Sequence, residues 1–254
     1  MSNNPKLTLV GAGPGDPELI TLKAIKALAS ADVVLHDALV SLDLLEHAPN
    51  AEIIYVGKRK GFHRYSQEEI NELIVQKALS QGHVVRLKGG DPFIFGRGSE
   101  EIEYASRYGV ETSVVPGISS CHAVPSGLDI PLTQRGISES FWVITGTTSA
   151  RQLSNDVRLA AQSTATVVIL MGMGKLREIT GIYKNLGLGG LPVAVIQNGT
   201  LPGERHGIGT VDSIHGIVEQ KKLGAPAIIV LGEVVRNAKG LQATYERFAL
   251  EKAS

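Results

Sequence analysis

The feature that most constrains the fold is the alternation of short apolar runs with segments of helical periodicity. Two of those segments, Gln67–Leu79 and Glu100–Arg107, have the pattern of amphipathic helices. Near-continuous apolar strands separated by helices are typical of mainly parallel sheets that are covered on both faces. The sequence therefore predicts an α/β protein. Its predicted strands lie at residues 7–10, 32–36, 52–56, 83–87, 111–115, 141–145, 166–171, 192–197 and 227–232, with a less regular one at 206–211.

The alternation is interrupted once, at residues 126–140, where the sequence reads SGLDIPLTQRGISES. A chain of 254 residues is long enough for two domains. We therefore predict an N-terminal α/β domain over 1–125, a linker over 126–140 and a C-terminal α/β domain over 141–254. Both sheets are expected to be mainly parallel, and a ligand cleft is expected between the two domains.

Glycine and polar residues follow the predicted strands at their carboxyl ends. In the first half these segments read GAGPGD, DAL, GKRKG, KGGDPF and PGISS, and in the second half TGTTS, MGMG and NGT. A single turn glycine carries little information, because strand–helix connections often need one. The repetition is more informative, since open α/β sheets bind ligands at the carboxyl ends of their strands. The pattern predicts a ligand-binding edge in each half.

Composition narrows the function classes. Lys plus Arg and Asp plus Glu both number 25, so the chain lacks the basic excess of most nucleic-acid-binding proteins. Cys121 is the single cysteine, which excludes an intramolecular disulfide and a thiolate metal cluster, and we expect no metal. No signal peptide or membrane-spanning run is visible, so we expect a cytoplasmic protein without a membrane partner.

The first glycine loop resembles a dinucleotide-binding turn, but its spacing is different. Gly11, Gly13 and Gly15 are one residue short of the G-x-G-x-x-G pattern. Pro14 removes a backbone N–H from the loop, and Pro17 stands where the phosphate-binding helix should begin. Asp32 or Asp37 could imitate the acid that binds ribose. A dinucleotide-dependent oxidoreductase therefore stays an alternative, and the glycine spacing disfavours it.

A longer set of motifs, in order along nearly the whole chain, decides between these alternatives. They are VGAGPGDPELITLKA, DVVLHDALVS, YVGKRKGFHRYSQEEIN, VVRLKGGDPFIFGRGSEE, VVPGISS, IPLTQRG, LMGMGKL, QNGT and GAPAIIVLGEVV. Together they resemble the tetrapyrrole (corrin/porphyrin) methyltransferase family. The block RLKGGDPFIFGRG is the most specific part of the resemblance, because so long a match rarely arises by chance.

The resemblance implies a function as well as a fold. It implies two α/β domains that bind S-adenosyl-L-methionine, usually in a homodimer, and release S-adenosyl-L-homocysteine. The expected reaction methylates uroporphyrinogen III at C2 and C7 to give precorrin-2, for sirohaem, cobalamin or haem d1. The chain is expected to be the methyltransferase alone, without an oxidase/chelatase module. The alternative within the family is methylation of another precorrin.

The resemblance also assigns cofactor contacts, motif by motif. For Ile94 and Met171, packing in the core is the alternative interpretation. For Asp91, which precedes Pro92, the alternative is an aspartate that initiates a turn. The residues with an implied cofactor contact are Pro14, Gly89, Gly90, Asp91, Ile94, Ser119, Ser120, Met171, Gly199 and Ala227.

Two residues of opposite charge are implied in catalysis. The resemblance assigns proton acceptance to Asp37 and proton donation to Lys58, each of which stands just beyond a predicted strand. Such a pair can act as base and acid if both pKa values shift towards neutrality. The alternative is structural: Asp37 caps the next helix and Lys58 binds a carboxylate of the ligand.

A substrate with eight carboxylates needs a basic surface, and residues 57–97 supply one. This segment holds eight basic and four acidic residues, a net charge of +4. Arginine pairs carboxylates through two parallel hydrogen bonds, so we predict Arg97 and Arg135 as the propionate anchors. His63 is a further candidate for substrate contact. Lys77 lies on a predicted helix and is expected to be solvated.

Overall fold

The structure is a computed structural model, which describes residues 4–57 and 65–238. The chain forms two compact units, Met1–Ser119 and Ser120–Ser254. Each unit contains one five-stranded sheet. Residues 126–140, the predicted linker, include Leu128 and Ile130, which are buried in the core of the second unit. The role of this segment as a linker stays a prediction.

The sheet of the first unit is fully parallel, which confirms the predicted mainly parallel arrangement in this half. The order of its strands is β3-β2-β4-β1-β5, and all four neighbouring pairs are parallel. Every strand and both helices predicted in this half are confirmed to within about two residues. Its elements are β1 (Lys6–Gly11), α1 (Leu22–Ala29), β2 (Val33–His36), β3 (Glu52–Tyr55), α2 (Gln67–Gln81), β4 (His83–Lys88), α3 (Gly98–Arg107) and β5 (Glu111–Val115).

Both faces of this sheet are covered, which explains the near-continuous apolar strands. Leu7 and Leu9 of β1 belong to a buried cluster on one face. Val10 belongs to a second cluster that includes Ala24 and Leu28 of α1. A strand that is buried on both sides has no polar face to alternate with the apolar one. The central strands β1 and β4 therefore lie inside the unit and bring their carboxyl ends to one edge.

Helix α2 shows how local sequence fixes an element boundary. The side chain of Ser66 accepts a hydrogen bond from the Glu69 N–H, and the Glu69 carboxylate accepts one from the Ser66 N–H. This reciprocal capping box satisfies backbone donors that the helix itself leaves without partners. At the other end Gly82, with φ 113°, takes a conformation that side chains disfavour, and the helix stops.

Over residues 120–238, the second unit contains five strands and four α-helices. Every strand predicted in this half is confirmed to within one residue, including the less regular one at 206–211. The elements are α4 (Ser120–Gly127), β6 (Phe141–Thr145), α5 (Asp156–Ala160), β7 (Thr166–Leu170), α6 (Leu176–Asn185), β8 (Pro192–Gln197), β9 (Arg205–Thr210), α7 (Ile214–Gln220) and β10 (Ala227–Leu231).

The second sheet differs from the prediction, because it is mixed and not mainly parallel. Its order is β6-β7-β10-β8-β9, and only β6 and β7 pair in parallel. The other three pairs are antiparallel. The connection between β8 and β9 is short and contains no helix, so these strands form a hairpin. Strand β10 then runs in the same direction as β9 and inserts between β7 and β8.

Within residues 4–57 and 65–238, no helix has the length and apolar character needed to cross a membrane.

Candidate functional site: two sheet edges rich in glycine

The loops after β1 and β4 are joined directly by their backbones. Gly13 and Gly90 form an isolated antiparallel bridge, in which the Gly90 N–H donates to the Gly13 carbonyl at 2.6 Å. The Ala12 N–H donates to the Lys88 carbonyl at 2.8 Å. The predicted contact residue Pro14 follows directly and is half-buried. The structure therefore brings the GAGPGD and GGDP motifs together at the carboxyl edge of the first sheet.

The loop after β5 meets the same two loops at very short range. A Cβ atom on Gly117 would lie 2.3 Å from the Gly90 carbonyl oxygen and 2.6 Å from the Gly11 Cα. Atoms cannot approach so closely, so positions 11 and 117 must be glycine for these backbones to pack. Ser119 and Ser120 follow in this loop; Ser119 is buried, and Ser120 begins α4.

The glycines at 89 and 90 have different reasons to be glycine. A Cβ on Gly89 would lie 2.9 Å from the Cβ of Leu39, so packing alone excludes a side chain there. At Gly90, with φ 69°, the nearest atom to an added Cβ would be the Cα of Ser119 at 3.9 Å. Gly90 therefore has open space on the side where a Cβ would stand, and a ligand could approach its Cα closely there.

Asp91 holds this edge together. Its Oδ1 accepts a hydrogen bond from the Phe93 N–H at 2.8 Å, the turn geometry expected of an aspartate before Pro92. Its Oδ2 accepts one from the Gly117 N–H at 3.0 Å. The turn interpretation is therefore confirmed, and a cofactor contact by Asp91 stays a prediction.

Asp37 lies at the end of β2, on the same edge, and its side chain is 28% exposed. Its Oδ1 accepts a hydrogen bond from the Leu39 N–H at 3.1 Å. Its Oδ2 lies 3.6 Å from Nη2 of Arg86, a residue of β4 whose side chain is only 5% exposed. The predicted base is thus positioned by its own loop and faces a buried cation.

Arg86 and Lys88 correct the prediction of a basic surface over residues 57–97. Both side chains are buried, and both bind Glu101 of α3, whose side chain is fully buried. Lys88 Nζ donates to the two carboxylate oxygens of Glu101 at 2.9 Å, and Arg86 Nε donates to one of them at 3.2 Å. Strand β4 is central and covered on both faces, so its charged side chains point into the unit and need buried partners.

Burial has a measurable electrostatic consequence for Lys88. Removal of the ammonium from water lowers its pKa below the ordinary value, and the neighbouring charge of Arg86 lowers it further. Glu101 acts in the opposite direction by attracting the ammonium. Sequence reasoning missed this cluster. The signal that could have found it is two charges at alternate positions of a strand that is otherwise apolar.

Arg97, the predicted propionate anchor, is exposed but already has a partner. Its Nε donates to Oε1 of Glu100 at 2.8 Å, and Nη2 pairs with the other oxygen. These hydrogen bonds raise the pKa of Arg97 and lower the pKa of Glu100.

Three further basic residues of the segment 57–97 were considered in the sequence analysis. Lys77, which was expected to be solvated, instead binds both oxygens of Glu52, at 2.8 and 2.6 Å. Lys58 and His63 lie outside the described residues.

The second sheet has a corresponding edge. Strands β6, β7 and β8 end there, while β10 begins there because it runs in the opposite direction. Met171 follows β7, and its carbonyl accepts a hydrogen bond from the Thr147 hydroxyl at 2.9 Å. Ala227 is paired with Gln197, the last residue of β8. The structure thus brings Met171, Gly199 and Ala227 to one edge.

The structure also describes the surroundings of four further residues that were predicted to contact a ligand. Ile94 and Met171 are 40% and 53% exposed, so core packing does not account for either. A Cβ on Gly199 would lie 2.3 Å from a methyl group of Val124, so packing requires glycine there. Arg135 lies in a turn closed by Gln134 and Ser138. Ser138 bonds to Thr166 at the start of β7, so this turn is not at the edge that carries Met171.

Backbone strain is concentrated in the same loops. Among the residues that the structure describes, eight other than glycine have positive φ. Five of them lie at the two edges: Phe95 (56°), Arg97 (58°), Met171 (55°), Asn198 (52°) and Thr200 (68°). Each such residue costs about 1–3 kcal/mol, and strained residues cluster at active and ligand-binding sites. Within the same described ranges, no three His, Cys, Asp or Glu residues could hold a metal ion together.

The profile of the family described as "Tetrapyrrole (Corrin/Porphyrin) Methylases" matches residues 6–215. This match covers well over half of the chain. The chain belongs to the tetrapyrrole methylase family. The match includes the first unit from β1 onwards and, in the second unit, Met171 and Gly199, and it ends before Ala227.

Relatives within the tetrapyrrole methylases are similar over nearly their full length. The chain is 46% identical over 233 residues to the uroporphyrinogen-III C-methyltransferase of Methanocaldococcus jannaschii, covering 91% of this chain and 96% of the relative. It is 44% identical to the enzyme of that name from Synechocystis, over 93% and 92% of the two chains. The chain is also similar to a crystal structure of the uroporphyrin-III C-methyltransferase of Thermus thermophilus complexed with S-adenyl homocysteine. The TM-score is 0.78 and the sequence identity is 41%, over 91% of this chain and 99% of that one.

Proposed function

We propose that this tetrapyrrole methylase transfers methyl groups from S-adenosylmethionine to C2 and C7 of uroporphyrinogen III, giving precorrin-2. The observation that carries the proposal is the 46% identity to an archaeal uroporphyrinogen-III C-methyltransferase over nearly the whole of both chains. Family membership alone would also allow another precorrin as the substrate. The dinucleotide alternative has no support among these relatives.

Each edge has features that suit S-adenosylmethionine, which combines an apolar adenine face with charged and hydrogen-bonding groups. Gly90 presents bare backbone to open space, where a side chain would otherwise intrude. Ile94 at the edge of the first sheet and Met171 at the edge of the second expose apolar side chains, which suit an adenine face. The remaining proposed contacts are Pro14, Gly89, Asp91, Ser119, Ser120, Gly199 and Ala227.

The bound sulfonium supplies an electrophilic methyl group, and the chain supplies position. In the transfer a pyrrole carbon forms the new C–C bond with a ring electron pair, and the sulfur keeps the electrons of the broken C–S bond. No acid or base is needed at the methyl group itself. Holding the two reacting atoms at about 3–3.5 Å therefore provides most of the acceleration. Loops fixed by backbone bridges, such as Gly13 with Gly90, provide such rigid positioning.

Asp37 is proposed to take the proton that the alkylated ring must lose. The C–H electron pair returns to the ring, and the proton passes to a carboxylate oxygen. Partial exposure of Asp37 at the end of β2 leaves it accessible to a ligand at this edge. Lys58 is proposed as the proton donor; it comes directly after Gly57 and outside the described residues.

Arg97 is proposed to anchor a propionate of the substrate. Its guanidinium is exposed, and its backbone, with φ 58°, lies at the position directly before α3, next to the GGDP loop. The existing pair with Glu100 means that a propionate must compete for, or share, the same guanidinium. Arg135 and His63 stay further candidates for substrate contact. We also propose a homodimer in the cytoplasm, as the family resemblance implies.

Incubation of the purified protein with uroporphyrinogen III and S-adenosylmethionine tests the proposal. Mass spectrometry of the tetrapyrrole should show a gain of two methyl groups, with two equivalents of S-adenosylhomocysteine. Methyl transfer to a later precorrin, with none to uroporphyrinogen III, would instead assign the sister activity.

The proposed homodimer is tested by sedimentation analysis, which should give twice the 27.0 kDa mass of the chain. Sedimentation at 27.0 kDa would contradict the dimer.

A further inference from the structure

Arg86 is fixed by contacts on several sides of its guanidinium. Nε donates to Glu101 at 3.2 Å, and Nη1 donates to the carbonyls of Leu87 at 3.0 Å and Leu35 at 3.4 Å. The remaining nitrogen, Nη2, lies 3.6 Å from Oδ2 of Asp37. This distance is longer than a hydrogen bond, so the contact is an ion pair. The donors of Arg86 thus extend in three directions, and one of them is towards Asp37.

The charges of the cluster leave one positive charge facing Asp37. Arg86 and Lys88 share a single buried carboxylate, that of Glu101. The three side chains are 5%, 6% and 0% exposed, so water screens this charge weakly. An anionic Asp37 completes a neutral set of four. The Coulombic attraction therefore holds the carboxylate on the side of its loop that faces Arg86.

We propose that Arg86 is a positioning residue for the reaction and acts through Asp37. The inference rests on the proposed function, in which Asp37 accepts the proton of the alkylated ring. The Leu39 N–H holds one carboxylate oxygen and Arg86 faces the other, so both oxygens have a defined direction. Proton transfer requires such a defined direction, because the acceptor must lie within hydrogen-bond reach of the proton.

Lysine cannot replace Arg86 in this role. A lysine at 86 would keep the positive charge beside Glu101, and the fold with it. Its single ammonium cannot reach the Leu87 carbonyl, Glu101 and Asp37 at once, whereas the planar fork of arginine can. The variant Arg86→Lys therefore separates charge from orientation.

The experiment measures the kinetics of Arg86→Lys, Asp37→Asn and the double variant. We expect Arg86→Lys to lower kcat by about tenfold or more, with little change in the Kd of S-adenosylmethionine measured by calorimetry. In the Asp37→Asn background the same change should alter the residual kcat by less than about twofold, because the group through which Arg86 acts is gone. Leu28→Ala, which creates a cavity at the buried face of α1, is the control for general loosening and should keep the wild-type kcat.

Two results would overturn the inference: an unchanged kcat in Arg86→Lys, or an equal loss in both backgrounds. If Asp37→Asn shows no turnover, the free energy of unfolding in urea is measured instead for the wild-type protein, both single variants and the double variant, as a double-mutant cycle. Additive effects on unfolding would then reject the Arg86–Asp37 pairing, and non-additive effects would support it. Failure of the proposed function would look different, since the wild-type protein itself would not methylate uroporphyrinogen III.

Discussion

The carboxylate of Asp91 accepts a hydrogen bond from the backbone N–H of Gly117 at 3.0 Å. This bond joins the loop after β4 to the loop after β5, across the end of β1. The other oxygen of Asp91 holds its own loop through the Phe93 N–H. One side chain thus stabilises two of the loops that we propose to bind S-adenosylmethionine.

Asp91→Ala removes both of these hydrogen bonds. Because hydrogen bonds to a charged acceptor are strong, we expect a loss of about 2–4 kcal/mol in the free energy of unfolding, measured in urea. Binding of S-adenosylmethionine should weaken as well, since the loops lose their connection. Asp43→Ala, which removes an exposed aspartate, should change stability by less than about 0.5 kcal/mol. Equal stability of the two variants would contradict this account.

Gly117→Ala should be poorly tolerated. The new methyl carbon would lie 2.3 Å from the Gly90 carbonyl oxygen, so the three loops must move apart. We expect a lower midpoint of thermal unfolding and weaker cofactor binding. Gly181→Ala is the matched control, because it lies within α6 and nothing surrounds its Cβ. There alanine should stabilise the protein by about 0.5–1 kcal/mol. A Gly117→Ala protein as stable as the control would refute the packing argument.

Glu100→Gln should strengthen substrate binding. The change removes the carboxylate that now pairs with Arg97 and frees the guanidinium for a propionate. We expect the KM for uroporphyrinogen III to fall by about two- to fivefold at low salt, the range of an exposed ion pair. Glu103→Gln removes the same charge from the same helix, where Glu103 pairs with Arg107. It should leave KM unchanged; a similar fall in both variants would indicate a general charge effect.

The buried Lys88 predicts a pH dependence of stability. Its pKa is lowered from 10.5 in the folded protein, so the unfolded chain binds more protons between the lowered value and 10.5. Stability therefore rises with pH through this window. Urea unfolding at a series of increasing pH values up to 10.5 should show a gain in stability for the wild-type protein that Lys88→Met lacks. Lys23→Met, which removes an exposed lysine, should keep the wild-type slope. Identical slopes in all three proteins would contradict the assignment.

Much of the fold was predictable, because the pattern of apolar residues along the sequence reflects which faces of each strand or helix are buried. Strands such as β1 and β4 are buried on both faces, so their apolar runs are continuous and easy to locate. The direction of β10 was not predictable, since its apolar run is compatible with either orientation. Its direction is fixed by antiparallel pairing with β7 and β8, strands distant in sequence, for example Ile228 with Leu170.

The site was predictable where backbone geometry demands a residue type. Gly11 and Gly117 have no alternative at their close approach, and their motifs were visible in the sequence. The partner of Arg86 was not visible, because Glu101 lies on another element and has the sequence context of an ordinary helical glutamate. Counting the charged residues of the segment 57–97 therefore overestimated the positive charge at its surface, because Arg86 and Lys88 are buried with Glu101. Only the fold shows which charges neutralise one another.

The central claim is that this chain methylates uroporphyrinogen III at two defined carbons. The most direct measurement uses S-adenosylmethionine with a 13C-labelled methyl group, followed by NMR of the purified tetrapyrrole. The account predicts two labelled methyl signals, assigned to C2 and C7, and a marked decrease of both in the Asp37→Asn protein at equal incubation time. Label at any other carbon, or none despite tight binding of S-adenosylmethionine, would contradict it.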